Sequence, residues 1–226
     1  MGEGLSKFLV YKPSGGDALV KSGQSTIYCY WGDEAFYACI NTYLIDTTWV
    51  SRMSWENNTN AMQTYSLQYT TGLKVTKGDK VISSVGIKLK FDGMSINMNM
   101  QVKIFSTYET TETKTKTITL NIPPKSTLFF YQKKYWFKDT MFFILDVWDE
   151  KWNIGSLGGY EPTTKECEVE IMSEDYLTMD VALKDFATGM MDVKRVLRAD
   201  SEGLRRTRKR ENLIARTKRE LSKMGV

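Results

Sequence analysis

The sequence contains no histidine and only three cysteines among its 226 residues. The lack of histidine excludes histidine-based catalytic triads, histidine zinc ligands and histidine acid–base relays. Cys29, Cys39 and Cys167 have no C-x-x-C spacing, so at most one disulfide is possible and buried free thiols are the preferred interpretation. Because no nucleophile motif or phosphate-binding loop occurs either, we expect a protein that is not an enzyme and uses no metal or cofactor.

Long apolar runs are also lacking. The longest, Leu128–Tyr131 and Met141–Leu145, have the length of strands, whereas a transmembrane helix needs about 20 residues. The N-terminus lacks the basic start and apolar stretch that are typical of a signal peptide. We therefore expect a soluble protein, cytoplasmic or stored, whose release would follow a non-classical route.

A net positive charge is lacking over most of the chain and occurs only at its end. Residues 194–226 contain 12 Lys or Arg and four Asp or Glu, although the whole chain has a net charge of only +4. The remaining residues therefore sum to −4. From about residue 182, apolar residues recur at helical spacing among good helix formers, which predicts a basic helical tail over 182–226, broken near Gly203.

The densest basic run of that tail comprises Arg205, Arg206, Arg208, Lys209 and Arg210. Four interpretations stay open at this point. The run belongs to a solvated tail, marks a protease-sensitive site, binds anionic lipid or nucleic acid, or lies in a helix that self-associates. Composition does not rank them, because Lys and Arg serve all four.

The rest of the chain reads as short strands, so the predicted fold class is mainly β, with elongated antiparallel sheets and the helical tail. Residues 1–60 are rich in aromatics and predict either a small core or a surface for a sugar or lipid headgroup. Residues 61–181 form the second predicted region. It includes strands on either side of Lys138-Asp139 and a last strand at 166–172.

Residues 81–104 have the clearest strand pattern. Two eleven-residue runs, VISSVGIKLKF and MSINMNMQVKI, flank Asp92-Gly93, a dipeptide typical of two-residue type I′ hairpin turns. Closing the strands about that turn places Phe91 opposite Met94. One face of the hairpin is then apolar except for Ser83, and the other is polar except for Ile82. This pattern indicates that one face contacts an apolar partner and the other contacts water.

Residues 106–122 alternate threonine with charged residues. Strict alternation of β-branched threonine predicts a strand, yet neither face is apolar before Ile118. Such a strand cannot lie across a core, so we expect it to be a solvated strand at a sheet edge.

The order of these segments resembles the pore-forming module of the aerolysin and epsilon-toxin family of β-barrel toxins. The segments that carry the resemblance are TYSLQYTTGLKVTKGD, VGIKLKFDGMSINMNMQVKIFS, TETKTKTITLNIPP and TLFFYQKKYWFK. They span about Thr64 to Trp148 and match the family in order, spacing and composition rather than by a signature motif. The helical tail and the absence of a signal peptide depart from the family pattern.

The resemblance implies that the hairpin packs on the monomer and, after homo-oligomerisation at a membrane, extends into a transmembrane β-barrel. A glycan or lipid receptor is a further partner in this interpretation. The membrane-facing residues would be Val81, Val85, Ile87, Leu89, Phe91, Met94, Ile96, Met98, Met100, Val102 and Ile104. The lumen-facing residues would be Lys88, Lys90, Asn97, Asn99, Gln101 and Lys103, and these lysines predict a preference for anions.

The alternative hypothesis is a structural or capsid-like β-protein whose basic tail binds nucleic acid or drives self-assembly. The two hypotheses differ over residues 81–104. A pore-forming protein needs this hairpin to be releasable, whereas a capsid-like protein needs it permanently packed.

Overall fold

The computed structural model describes residues 19–30, 34–85, 91, 94–98, 101–111, 113–183 and 205–226. The fold is mainly β and antiparallel with few helices, which confirms the predicted fold class. The strands are β1 (Leu19–Tyr30), β2 (Glu34–Asn57), β3 (Gln63–Lys77), β4 (Ser95–Met98), β5 (Gln101–Ile104), β6 (Lys114–Ile122), β7 (Ser126–Val147), β8 (Glu150–Ile154), β9 (Thr164–Met179) and β10 (Thr207–Arg208). The helices are α1 (Asp79–Val85), α2 (Thr107–Thr110) and α3 (Ala215–Lys223), with a 3-10 turn at Arg210–Asn212.

Strands β2 and β7 are the two longest strands of the sheet. They pair antiparallel from Glu34 opposite Val147 to Asn57 opposite Ser126, a length of about 75 Å at the usual rise per residue. The predicted break at Lys138-Asp139 is wrong, because β7 continues through it. The buried Asp139 side chain accepts a hydrogen bond from Thr42, its neighbour on β2, so the ladder carries this charged residue without interruption.

The strand order of the main sheet is β1-β2-β7-β9-β3-β6, and β8 pairs with β7 beyond the end of β9. Strand β3 changes its partner at Gly72, whose φ of 130° is open to glycine but strained for other residues. Before this point β3 pairs with β6, and from Gly72 onward it pairs with β9. A large core lies over β2, β7 and β9, and a smaller core surrounds Leu67 and Phe130.

The threonine-rich strand lies where the sequence predicts it. Strand β6 is at the end of the strand order, and most of its side chains before Leu120 face solvent. The preceding residues differ from the prediction, because Thr107–Thr110 form α2 rather than part of the strand.

The described part of the basic tail is folded onto the sheet and is not a solvated extension. Strand β10 pairs in parallel with β8, and Leu213, Leu221 and Met224 are buried in the large core. A helix is confirmed over α3 only, since residues 205–214 contain β10 and the 3-10 turn. The rest of the predicted helix, residues 184–204, lies outside the described residues.

The three cysteines are free thiols. Only Cys167 is buried, and its burial, together with the charge of Asp139, raises the pKa of the thiol to about 12. Cys29 is exposed and Cys39 is half-buried, so the expectation of buried thiols is confirmed for one cysteine of three.

Candidate functional site

The predicted hairpin lies within a long connection between β3 and β6, residues 78–113, which we call the crossover. It contains α1, β4, β5 and α2. Strands β3 and β6 are antiparallel neighbours, and neighbours of this kind are commonly joined by a short turn. The length and the apolar content of the crossover therefore call for an explanation.

The hairpin drawn from the sequence is not the one present in this structure. Residues 79–85 are helical, and β4 pairs with β5 from Ser95 opposite Ile104 to Met98 opposite Gln101. The chain therefore reverses between Met98 and Gln101, and the predicted pair of eleven-residue strands about Asp92-Gly93 is wrong for this state. A helix at 79–85 has a physical reason, because it buries the consecutive residues Val81 and Ile82, which a strand would point to opposite faces.

The buried side of the crossover covers the sheet above β7. Among the described residues of the crossover, the apolar side chains that are at most 2% exposed are Val81, Ile82, Phe91, Met94, Ile96 and Phe105. The ring of Phe91 lies 5.3 Å from that of Phe137, and the ring of Phe105 lies 5.0 Å from that of Tyr135. Burying six such side chains stabilises the closed state by roughly 10 kcal/mol before the cost of ordering the chain.

In strand β5 of the crossover, the exposure of the side chains does not follow their polarity. Ile96 pairs with Lys103, and directly opposite residues of an antiparallel pair point to the same face. The side chain of Lys103 is therefore turned inward and is only 14% exposed, while Val102 and Ile104 are 55% and 67% exposed. In one continuous strand, Ile96, Val102 and Ile104 would share a face instead.

A cluster of charged and polar groups connects β5 and α2 to β9. We call it the carboxylate latch, and its members are Lys103, Ser106, Glu109, Glu174 and Asp175. The Lys103 ammonium lies 2.8 Å from a Glu109 oxygen and 2.9 Å from an Asp175 oxygen. Glu109 also accepts hydrogen bonds from the backbone amides of Ser106 (2.8 Å) and Glu174 (2.7 Å). A buried lysine thus becomes tolerable because its charge is paired and hydrogen-bonded.

The protonation of Glu109 reflects this environment. Burial raises the pKa of the carboxyl, but the hydrogen bonds from Lys103 and from the two backbone amides outweigh burial and hold the pKa below its ordinary value. Burial, followed by the nearby Asp175 carboxylate, raises the pKa of the Tyr135 hydroxyl, which donates to Asp175 at 3.3 Å. The Glu109 carboxyl of the latch is therefore ionised at neutral pH.

Sequence reasoning missed the latch, although a signal for it was present. Ser106 and Glu109 form a capping box at the start of α2, and the pattern S-x-x-E marks helix starts. The threonine alternation that follows obscured that pattern. Glu174 and Asp175 had no comparable signal, because their position depends on the way β9 departs from β7 between Met172 and Tyr176.

The register of β3 and β6 connects the crossover with the predicted turn. Each pair in this ladder has residue numbers that add up to 185, from Gln63 opposite Ile122 to Thr71 opposite Lys114. Continuing the same ladder through the crossover would end with Phe91 opposite Met94, on either side of Asp92-Gly93. The turn predicted from the local sequence and the turn implied by the β3–β6 register therefore fall at the same two residues, Asp92-Gly93. The two are independent, because the first comes from residue type and the second from strand pairing.

The predicted site residues divide into three groups. Of the membrane-facing set, Val81, Phe91, Met94 and Ile96 are buried on the sheet and Val102 and Ile104 are exposed. Of the lumen-facing set, Lys103 is in the latch, and Asn97 and Gln101 pair with Val102 and Met98 in the β4–β5 ladder. Outside the described residues lie Ile87, Leu89, Met100, Lys88, Lys90, Asn99 and the turn Asp92-Gly93, and also the side chains of Val85, Asn97, Met98 and Gln101.

The basic run binds the protein's own surface. The guanidinium groups of Arg206 and Arg208 lie 5.9 Å and 5.0 Å from the Trp152 ring, and the Lys209 ammonium lies 4.6 Å from the Tyr160 ring. Arg210 donates to the Gly155 carbonyl at 3.2 Å, and burial lowers the pKa of its guanidinium. These contacts between cations and aromatic faces anchor the tail on β8 and the loop that follows it.

Within the part of the chain that the structure describes, no helix is both long and apolar enough to cross a membrane. The same residues include no group of three or more potential ligands that could hold a metal ion.

Comparisons with known proteins give structural neighbours only. No family model matches the sequence, and no curated protein matches it. The crystal structure of pro-monalysin, an oligomeric pore-forming toxin, aligns with a TM-score of 0.39 and 14% identity over 75% of this chain and 72% of that one. Parasporin-2, a Bacillus thuringiensis toxin that recognizes cancer cells, aligns with a TM-score of 0.19 and 16% identity over 65% of this chain and 74% of that one.

Proposed function

We propose that the protein is a pore-forming protein that oligomerises and inserts residues 81–104 into a membrane as a β-hairpin. The observation that carries the proposal is the shared register: the β3–β6 ladder, propagated without a slip, closes at Asp92-Gly93. Asp-Gly is among the dipeptides preferred in two-residue type I′ turns. Conversion would therefore need the crossover to straighten but would leave the existing ladder unchanged.

The faces of the extended hairpin support the same conclusion. In β3 and β6 the core-facing side chains include Leu67, Tyr69 and Leu120. Propagating the ladder keeps this face continuous with the apolar set of 81–104, since alternate residues share a face. The opposite face is polar, apart from Ile82 and Phe105, from the serine and threonine side chains of β3 and β6 to the lysines and asparagines near the turn. Alternating strands of 9–11 residues are what a transmembrane β-barrel requires.

Straightening the crossover would also move two exposed apolar side chains and the inward-turned Lys103 to faces that suit them. Val102 and Ile104, now exposed, would join the apolar face, and Lys103 would move to the polar face. Against this gain stand the carboxylate latch and the six buried apolar side chains, which hold the crossover closed. Lipid contact would replace the protein contact of Val81, Phe91, Met94 and Ile96, so the net cost of releasing these four side chains is smaller than that of their removal into water. Ile82 and Phe105 fall on the opposite face of the propagated ladder and would not contact lipid.

The polar face would line the lumen. Lys88, Lys90 and Lys103 would contribute rings of positive charge in an oligomer, and such rings favour anions. We expect an anion-preferring conductance in planar bilayers, and a cation-selective conductance would contradict this assignment.

The main experiment locks the crossover. Cysteines at Ser106 and Glu174, whose side chains lie in hydrogen-bond contact at 3.2 Å, are joined by a short thiol crosslinker in a Cys29→Ser background. Dye release from anionic liposomes, with and without limited trypsin, should be abolished by the crosslink and restored by a cleavable version. The matched control joins Glu56→Cys to Thr127→Cys, which are directly opposite on β2 and β7, and should release dye normally.

A second experiment tests the register. Val81 is buried in α1 and Ile104 is exposed on β5, yet the propagated ladder places them directly opposite each other. Cysteines at these positions should form a disulfide in liposomes and not in solution. Absence of leakage under every condition, combined with tight nucleic-acid binding that is lost on deletion of residues 204–226, would overturn the proposal in favour of the capsid-like alternative.

A further inference from the structure

The structure assigns a binding site for a quaternary-ammonium lipid headgroup to the end of the sheet where β1 meets β2 and β7 meets β8. A hollow of about 310 Å³ opens there, lined by Cys29, Tyr30, Glu34, Asp146, Trp148 and Asp149. It lies far along β7 from the smaller core, and the crossover contributes no residue to its lining. The inference extends the proposed function by naming what the protein would recognise on a membrane.

Trp148 is placed at the rim of the hollow at a conformational cost. It forms the tip of the β7–β8 hairpin with Asp149, and their φ values of 55° and 63° are those of a type I′ turn. Asn and Gly are preferred in such turns, and a bulky side chain at positive φ is an outlier. The turn nevertheless leaves the indole 72% exposed, so a large aromatic surface is presented where the backbone would favour a small residue.

Several other aromatic side chains already have a cation from the protein itself. Lys133 lies over Trp49, Arg208 over Trp152 and Lys209 over Tyr160. Among the described residues no cation lies over the ring of Trp148, and in our proposal the ligand supplies that cation.

The charges of the hollow select a positive group. Asp146 and Asp149 line the hollow, with Lys151 directly opposite Asp146 in the β7–β8 ladder. Glu34 adds a third carboxylate, which accepts from the Tyr28 hydroxyl at 2.6 Å. Aromatic faces beside carboxylates suit a weakly hydrated trimethylammonium group, which gains from ring contact without needing hydrogen bonds.

A positive charge beside the hollow indicates where the rest of the headgroup would lie. The Arg216 guanidinium is 5.3 Å from the centroid of the Tyr30 ring, and Thr217 anchors this end of α3 by hydrogen bonds to Tyr28 (2.8 Å) and Glu34 (3.3 Å). A zwitterionic headgroup that places its ammonium on Trp148 can direct its phosphate toward Arg216. The proposed ligand is therefore a phosphocholine-type headgroup.

The test compares vesicles that differ only in methylation of the headgroup nitrogen. Binding of the intact protein is measured by sedimentation with phosphatidylcholine vesicles and with phosphatidylethanolamine vesicles, and tetramethylammonium is the soluble competitor. We expect at least tenfold tighter binding to phosphatidylcholine, which tetramethylammonium reduces. Equal binding to both vesicles would overturn the assignment.

The variants are chosen to keep the turn intact. Trp148→Asn and Asp149→Asn both place a residue that tolerates positive φ, and they should weaken binding at least tenfold and at least threefold, respectively. Tyr160→Leu is the control, since Tyr160 is 65% exposed but already contacts Lys209; it should bind normally. Unchanged binding by Trp148→Asn would refute the site.

Sedimentation separates this inference from the pore proposal. Vesicle binding with no dye release leaves the headgroup site standing and contradicts the pore. Dye release that is equal from both vesicle types and insensitive to Trp148→Asn contradicts the headgroup site and leaves the pore standing.

Discussion

The β2–β7 pair and the crossover differ in how well the burial of their side chains agrees with the sequence pattern. Along β2 and β7, side chains that the pattern marks as apolar, such as Phe36, Phe137 and Phe143, are at most 1% exposed, and the ladder continues from end to end. In the crossover, Val102 and Ile104 are exposed while Lys103 is turned inward. Sequence pattern and burial therefore agree in the first region and disagree at these three residues of the second.

This difference teaches where a rearrangement can begin. A shift of one residue in the pairing of β2 with β7 would invert the faces of the shifted strand and expose its buried phenylalanines. A strand held in the wrong face relation by an ion-pair cluster can improve its apolar contacts once that cluster opens. We therefore expect the carboxylate latch to resist opening of the crossover.

The largest expected effect tests whether the two regions share one core. Phe137 of β7 packs against Phe91 and Phe105 of the crossover, so Phe137→Ala should lower the free energy of unfolding by about 3–5 kcal/mol and expose the crossover to protease. Phe130→Ala, in the smaller core, should be similarly destabilising but leave the crossover protected. Urea denaturation and limited proteolysis distinguish the two variants.

The next effect concerns the latch. Glu109→Ala would leave the buried Lys103 with Asp175 alone, and breaking a buried pair of this kind costs about 3 kcal/mol. Crossover opening should then precede global unfolding, seen as faster hydrogen exchange at residues 94–105. Glu220→Ala, which removes an exposed i,i+3 partner of Lys223, should change stability by less than about 1 kcal/mol. Equal exchange in both variants would show that the latch does not hold the crossover.

The pH dependence should be smaller than the effect of removing the carboxyl. The pKa of Glu109 is lowered by folding from its ordinary value of 4.5, so its stabilising contribution is fully present above that pH. The contribution is lost as pH falls below 4.5 through the lower pKa of the folded state. Urea denaturation at a series of pH values should show this loss, and Glu109→Gln should reduce it.

The smallest effect on stability is the most informative about function. Val102→Thr and Ile104→Thr replace side chains that are exposed in this state, so the free energy of unfolding should change by no more than about 0.5 kcal/mol. Both should reduce dye release, because they place hydroxyls on the proposed lipid-facing surface. Ser95→Thr, on the polar face, should alter neither property. Normal release by the double variant would remove Val102 and Ile104 from that surface.

Local sequence patterns predicted the elements that are determined by residues close together in the chain. Strand β6 could be placed at an edge, because neither of its faces is apolar before Ile118. The strands of residues 34–57 and 126–147 could be recognised, but not their full length, since the buried Asp139 depends on a hydrogen bond from Thr42 on another strand. The capping box at Ser106 could have revealed α2, and the carboxylates of β9 that complete the latch could not.

The sequence by itself determined that the apolar residues of 81–104 need a cover, that Asp92-Gly93 suits a hairpin turn, and that positive charge gathers at the end of the chain. Alternation and turn chemistry act over a few residues, so they read directly from the sequence. Tertiary structure decided that β7 provides the cover, that residues 79–85 are helical, that the β4–β5 register turns Lys103 inward, and that the basic tail packs on β8. These choices depend on contacts between residues far apart in the chain, where the burial of a whole surface outweighs the preference of any one segment.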